Sequence, residues 1–545
     1  MSNAKILSLS SLLARLLSRW PLPAAILASA TVTAAQGVIG TLHDPAGEHL
    51  DQLELLTLVR AGQDEQAFEL AFEHGNGLFE ARFNVLDGVG ANVGDGQRFT
   101  RVPRADLVGP GQWANHFPAR STGPNAESCR DCHLSPFEDG GGPVAANVHR
   151  DPLHRALPSA FIQRNTPHLF APGAVQRVAE EMTAALRRTR AGAAAEAART
   201  GRSVRRDLEA KGVRFGSITA HPDGSFDTRS VEGVDPDLVV RPFQWKGSVA
   251  SLRDFNRDAA HNELGMQGVE IVGDMDGDGD RVSNELSVGD LTALTVYLAA
   301  QPRPTSLVEL SLLGLLDEPL SLGQLGSILR GAGLLFAVGC ARCHEPVLRL
   351  DDSIFREPSA DPSYRDERFP AGQDPLELGV DPGSSVSFDL TSDQPDNQIP
   401  GPRGSIVHLG SLRTDDRGRG LVALYGDLKR HDMGRDLAEP IDEKGTGASV
   451  FMTEGLWGVG STAPYMHDGR ATTLTEAILL HGGEARLSRE LFAALPRERQ
   501  RDLIAFLENL VLYKLPEDEE GEGIVASATI AGSDEVLRKL ESPSD

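Results

Sequence analysis

Cys129-Arg130-Asp131-Cys132-His133 and Cys340-Ala341-Arg342-Cys343-His344 are two copies of one pattern, Cys-x-x-Cys-His, and they use all four cysteines of the chain. Two thiols three positions apart fall on one face of a helical turn, where each can add to one vinyl group of a single porphyrin. The histidine that follows is then held under the iron as an axial ligand. The pattern predicts two covalently attached haems, one through Cys129 and Cys132 and one through Cys340 and Cys343, with His133 and His344 as iron ligands. Three other readings fit less well. Disulfides need no histidine after each pair. A four-cysteine zinc site takes both pairs from within a few tens of residues, whereas Cys132 and Cys340 lie in different halves of this chain. A thioredoxin-type pair would stand alone.

Around these anchors the chain has 545 residues, 40% hydrophobic and 24% charged, which suits a globular protein of two to four domains. Its 53 basic and 78 acidic residues give a net charge of −25, which excludes nucleic-acid binding through the bulk field. Such a field could steer a basic electron-transfer partner, and a well-solvated surface accounts for it equally well. Lys5, Arg15 and Arg19 precede an apolar stretch from Leu22 to Ala35, and small residues at Thr33 and Ala35 suit cleavage before Gln36. Residues 1–35 are therefore expected to be a signal peptide, placing the protein in the periplasm or outside the cell. An uncleaved anchor is the alternative. No later segment has the length of a membrane span.

The fold class expected is mainly α: two cytochrome c-like haem domains, residues 36–305 and 320–515, with loop-rich insertions and a small β-hairpin. Helical patterns cover residues 50–90, an alanine- and arginine-rich insertion at 174–212, Ser287–Ala300, Ser321–Val338 and about Ser488–Leu512. Residues 215–228 alternate around Pro222-Asp223-Gly224 and predict the hairpin. Residues 346–405, rich in Pro, Asp and Ser, are expected to be irregular, and the acidic tail 516–545 to be disordered.

A separate signal lies before the Ser287 helix. Asp274-x-Asp276-x-Asp278-Gly279-Asp280, followed by Glu285, fits the twelve-position calcium loop. Asp274, Asp276, Asp278 and Glu285 would ligate by side chain, and Asp280 by its carbonyl. An unmetallated acidic turn is the alternative.

Further motifs surround the haem sites: Arg164-Asn165-Thr166-Pro167, Trp245-Lys246-Gly247, Asn262-Glu263-Leu264-Gly265-Met266, His431-Asp432-Met433-Gly434, Pro464-Tyr465-Met466-His467-Asp468-Gly469 and His481-Gly482-Gly483-Glu484. In this order they resemble the bacterial di-haem cytochrome c peroxidase superfamily, above all its branch of di-haem oxidoreductases formerly called thiol oxidoreductases. The resemblance covers most of residues 80–515. It implies that the N-terminal haem reduces hydrogen peroxide, with electrons entering at the C-terminal haem from a small redox protein such as a cytochrome c. By the same resemblance His149 is the dissociable cap of the N-terminal iron, with His154 close enough to substitute. Glu263 becomes the proton-transferring acid/base and Trp245 the relay between haems. The interval from Trp245 to Glu263 is two residues shorter than the family's, and Phe255 or a neighbour stands where a glutamine is expected. The family's methionine or tyrosine ligand position holds Ser449, so the sixth ligand of the C-terminal haem falls to Met466 or Met433, with Met452 and His431 nearby. An open five-coordinate iron is the rival. Two other functions use the same haems: oxidation of an organic or protein substrate, and electron carriage without catalysis.

Overall fold

The computed structural model describes residues 49–84, 86–89, 126–150, 161–276, 281–392, 398–400, 406–514 and 524–525, all within the unit His49–Asp545. The export signal, His154, Asp278, Asp280 and most of the acidic tail lie outside the described residues. None of the described helices is long and apolar enough to cross a membrane.

The N-terminal half is built on α1 (Gln52–Arg60), α2 (Asp64–Glu80), α3 (Pro172–Thr200), α4 (Leu252–Ala259), α5 (Val269–Val272) and α6 (Val288–Ala299). α6 is buried on every face, as its nearly all-apolar sequence demands. Ser287 and Asp290 form a reciprocal capping box that fixes its start. α2 lays Ala71, Phe72 and Phe79 against this helix. It comes so close that a Cβ on Gly75 would stand 2.3 Å from the Ala293 carbonyl oxygen, so glycine is required there.

The C-terminal half repeats this device with α7 (Leu307–Leu313), α8 (Leu322–Ala337), α9 (Leu474–Leu480), α10 (Arg486–Ala493) and α11 (Arg497–Glu508). α8 packs on α11, and a Cβ on Gly331 would meet the Asp502 carbonyl at 1.9 Å. Their core holds Ile328, Leu335, Phe492, Leu503, Phe506 and Leu507; each such side chain contributes about 1.5–3 kcal/mol through burial. α8 runs straight into the second haem motif.

The expectation of a mainly α chain does not hold: the structure is 38% helical and 15% strand. Among the described residues the strands form six two-stranded and two three-stranded sheets. Most are two to four residues long, too short for an alternating apolar pattern to register. Segment 346–405, expected to be irregular, carries strands Leu348–Leu350, Ile354–Glu357 and Val386–Asp389. α3 passes through Gly192 unbroken and stops at Gly201 in the left-handed conformation. A hairpin of β3 (Val204–Ala210) and β4 (Val213–Ala220) follows, where helix was expected. The strands before it, β1 (Val148–Arg150) and β2 (Ile162–Arg164), pair antiparallel beside the first haem motif.

One local unit occurs in both halves. Phe243 bridges Val249 across a tight turn, and Tyr465 bridges Ala471 in the same way. Gln244 and Met466 take the matching left-handed positions, with φ of 63° and 74°. Ser251 then caps α4, and Thr473 caps α9. Each half therefore feeds a capped helix from the same turn, at the same sequence spacing.

Candidate haem sites

In the C-terminal half, Gly339, at φ 85°, ends α8 and turns the chain into the single helical turn Cys340–Arg342. Cys340, Cys343 and His344 line a cavity of about 430 Å³, together with Met433, Met452, Met466 and His481. His344 donates from Nδ1 to the Tyr425 carbonyl at 3.0 Å. That bond fixes the tautomer that leaves Nε2 open to a metal. Burial pushes the His344 pKa down to about 4 and that of Cys340 up to about 11. The imidazole is thus neutral, as an iron ligand must be. All four cysteines are free of disulfides. Thiols, histidine and cavity fit a porphyrin at this motif.

The first motif repeats the arrangement. Cys129–Asp131 form the turn, Cys132 is buried, and His133 donates from Nδ1 to the Pro167 carbonyl at 3.0 Å. Burial lowers His133 to about 4 and raises Cys129 to about 12. His149 sits on β1 opposite Gln163; its Nδ1 is buried with no hydrogen-bond partner among the described residues. A buried ring nitrogen without a partner is costly unless something else engages it, which suits a capping ligand. Glu263 lies on a π-type turn, Ala260–Leu264, at the end of α4, a local geometry frequent at functional sites. Its carbonyl accepts from the Ala126 amide at 3.2 Å, so its backbone adjoins the approach to Cys129.

Between the motifs runs Arg164-Asn165-Thr166-Pro167, which touches both. Pro167 holds His133, while Asn165 to His168 line the second cavity. The Asn165 carbonyl accepts from Trp245 Nε1 at 3.0 Å, its amide donates to the His467 carbonyl at 2.8 Å, and its Nδ2 to the Pro464 carbonyl at 2.7 Å. Trp245 also lines the second cavity. The structure therefore brings together Trp245, His133 and the C-terminal site.

Sequence reasoning assigned no role to the buried charges beside this segment. Arg164 pairs with Glu439 and, at 2.8 Å, with Glu443. Lys246 is fully buried. It donates to the carbonyls of Gly447, Ala448 and Val450, stands 3.3 Å from Glu439 and lies 3.9 Å over the Phe451 ring. His467 stacks on the same ring at 4.3 Å. Burial lowers the Lys246 pKa, with Glu439 opposing that shift.

His431 has its ring nitrogens on Asp427 and Glu484, at 2.9 Å each. Against its burial, the bond to Asp427 raises its pKa. With both ring nitrogens on carboxylates, neither is open to a metal. Met433 and Met466 both line the cavity, and the backbone of Met466 is accounted for by the turn it shares with Gln244. In the acidic loop, Asp274 and Asp276 are exposed, Asp276 accepts from the Arg281 amide, and Glu285 is buried with one oxygen on the Gln267 amide at 2.6 Å.

Residues 419–510 match the family model described as "Di-haem oxidoreductase, putative peroxidase". Among similar solved structures is a MauG-like protein associated with microbial copper homeostasis, 19% identical, covering 54% of this chain and 78% of that one, with a TM-score of 0.26. Another is Kuenenia stuttgartiensis hydrazine synthase, 17% identical, covering 55% of this chain and 78% of that one, with a TM-score of 0.23. No curated protein matches the chain.

Proposed function

We propose that this chain, whose residues 419–510 match the di-haem oxidoreductase family model, is an exported c-type enzyme that reduces hydrogen peroxide at its N-terminal haem. The observation that carries this reading is the shared segment: Pro167 orients His133 while Asn165, two residues earlier, holds Trp245 at the edge of the other site.

The four cysteines, with His133 and His344, would hold two haems, which when bound would supply the one-electron chemistry. The protein supplies placement and protons. Hydrogen peroxide takes up two electrons and two protons to give two waters, and the O–O bond breaks more easily when one group moves a proton between the oxygens. Glu263 is the residue assigned to that transfer, and His149 the ligand that must leave first. β1, which carries His149, is only three residues long and bonded on one side to β2, so displacing it disturbs few contacts. Trp245 relays electrons from the C-terminal half, which a small redox protein such as a cytochrome c reduces. Calcium held by Asp274, Asp276, Asp278, Asp280 and Glu285 would secure the approach to α6.

The test is to mix the half-reduced holoprotein with peroxide and follow donor cytochrome oxidation. Rapid oxidation that saturates with peroxide supports the reading. Oxidation no faster than donor and peroxide alone, from protein carrying both haems, overturns it.

A further inference from the structure

His481 closes α9 and lines the same cavity as His344. The two imidazole centroids are 6.4 Å apart. Imidazole nitrogens bind metals at roughly 2 Å, and each ring centroid lies about 1 Å behind its nitrogen, so two imidazoles on opposite sides of one ion have centroids about 6 Å apart. The observed pair has the spacing of a filled axial position.

The hydrogen bonds agree. His481 donates from Nδ1 to the Ala477 carbonyl at 2.7 Å, as His344 does to Tyr425 and His133 to Pro167. Among the described residues no hydrogen bond engages Nε2 of His344 or His481. A ligating histidine shows this arrangement, with one nitrogen tied to a carbonyl and the other left open. Burial also keeps His481 below its ordinary pKa. Of the other histidines lining the cavity, His431 has both nitrogens on carboxylates, His168 has both engaged by the Trp457 carbonyl and the Phe170 amide, and His467 stacks on the Phe451 ring.

The backbone around His481 is fixed. α9 starts with a Thr473–Glu476 capping box. After His481, Gly483 lies so close to the strand Arg430–Asp432 that a Cβ there would meet the Asp432 carbonyl at 2.0 Å. A methionine in the same cavity would have to order three flexible torsions to bind, against two for a histidine.

We propose that His481 is the sixth ligand of the C-terminal haem iron, trans to His344. The inference rests on the di-haem reading above and replaces Met466 and Met433 in this role. A bis-imidazole centre has a lower potential than a methionine-ligated one. It also has no open position, which leaves the N-terminal site as the one for peroxide.

The test begins with intact mass and haem content of the purified holoprotein. Two haems per chain establish the premise; an unmodified polypeptide mass from a host competent in cytochrome c maturation sinks the di-haem reading itself. With two haems present, electron paramagnetic resonance at poised potentials separates the two ferric centres. His481→Ala is expected to convert the C-terminal centre from wholly low spin to high spin, and added imidazole to restore it. His481→Met, which keeps the pocket filled, is expected to gain the near-infrared sulfur-to-iron absorption that the parent lacks. Met433→Ala/Met466→Ala is expected to leave the low-spin signal unchanged. A C-terminal centre that stays low spin in His481→Ala without imidazole, or a sulfur-to-iron band in the parent that the double methionine variant abolishes, overturns the assignment while leaving the two haems in place.

Discussion

His133 Nδ1 donates to the Pro167 carbonyl at 3.0 Å, and Pro167 also lines the cavity of the C-terminal motif. One main-chain strut thus orients the histidine of the first motif and walls the cavity of the second. Under the proposed function, coupling between the centres would run through this strut and the Trp245 indole bonded to it.

Replacing Trp245 with phenylalanine keeps the packing and removes the Nε1 bond to Asn165. The expected loss of stability is about 0.5–1.5 kcal/mol, read by denaturant titration. Electron passage between the haems should slow roughly tenfold or more, corresponding to about 1.4 kcal/mol on the barrier. Stopped-flow spectra of the half-reduced protein test this, and an unchanged rate would remove Trp245 from the path.

Lys246 is the counter-charge in a buried cluster. Lys246→Met should destabilise the fold by at least about 1–3 kcal/mol, because the Gly447, Ala448 and Val450 carbonyls lose their donor and Glu439, which keeps Arg164, loses its second cation. Adding Glu439→Gln should recover part of that cost, so the double variant falls short of the sum. Strict additivity would mean that the two charges do not interact.

Glu263→Gln should lower peroxide turnover by about 10²–10⁴-fold, the usual worth of a positioned acid/base, while leaving both haem spectra intact. His149→Ala should turn the resting N-terminal haem high spin. Full turnover in the first variant, or an unaltered spectrum in the second, would strip that residue of its role.

The pH dependence of stability should carry the mark of His49. Its hydrogen bond to Asp290, which His74 shares, raises the His49 pKa against the opposing effect of burial. A folded-state pKa above the unfolded one, near 6.5, gives stability that is complete below the unfolded value and is lost as pH rises through the folded value. Melting temperature should therefore fall between mildly acidic and mildly alkaline pH, and His49→Ala should flatten that slope. An equal slope in the variant would locate the effect elsewhere.

If the loop from Asp274 to Glu285 holds calcium, chelation should lower the melting temperature, and Glu285→Gln should make the protein indifferent to the chelator. Thermal curves that superimpose with and without EDTA would leave Glu285 as a purely structural carboxylate on the Gln267 amide.

Much of the site could be read from residue order because the chemistry of haem attachment dictates a rigid local spacing. The same holds for Ser287 and Ser321, whose capping boxes open α6 and α8 where expected. The strands were hidden because Leu348–Leu350 and its like are too short to show a period. The hairpin around Pro222-Asp223-Gly224 forms as read, Thr219 pairing with Asp227 and Ala220 with Phe226; its third strand, Val204–Ala210, was hidden because it continues a charged, helix-like composition and only Gly201 marks the break. Lys246 and Glu439 were invisible as partners because their pairing is long-range and buried lysines are rare. His481 stood in a recognised motif, but its relation to His344 depends on how α9 folds back over the cavity.

Asp139, in the loop after the first haem motif, has no exposed surface, and it accepts from the Tyr297 hydroxyl and from Lys514 at 2.9 Å. Anyone trimming the acidic tail to obtain crystals or to fuse a tag should therefore keep residue 514. Cutting a few positions earlier would deprive a buried carboxylate beside the first Cys-x-x-Cys-His turn of its cation, far away in sequence.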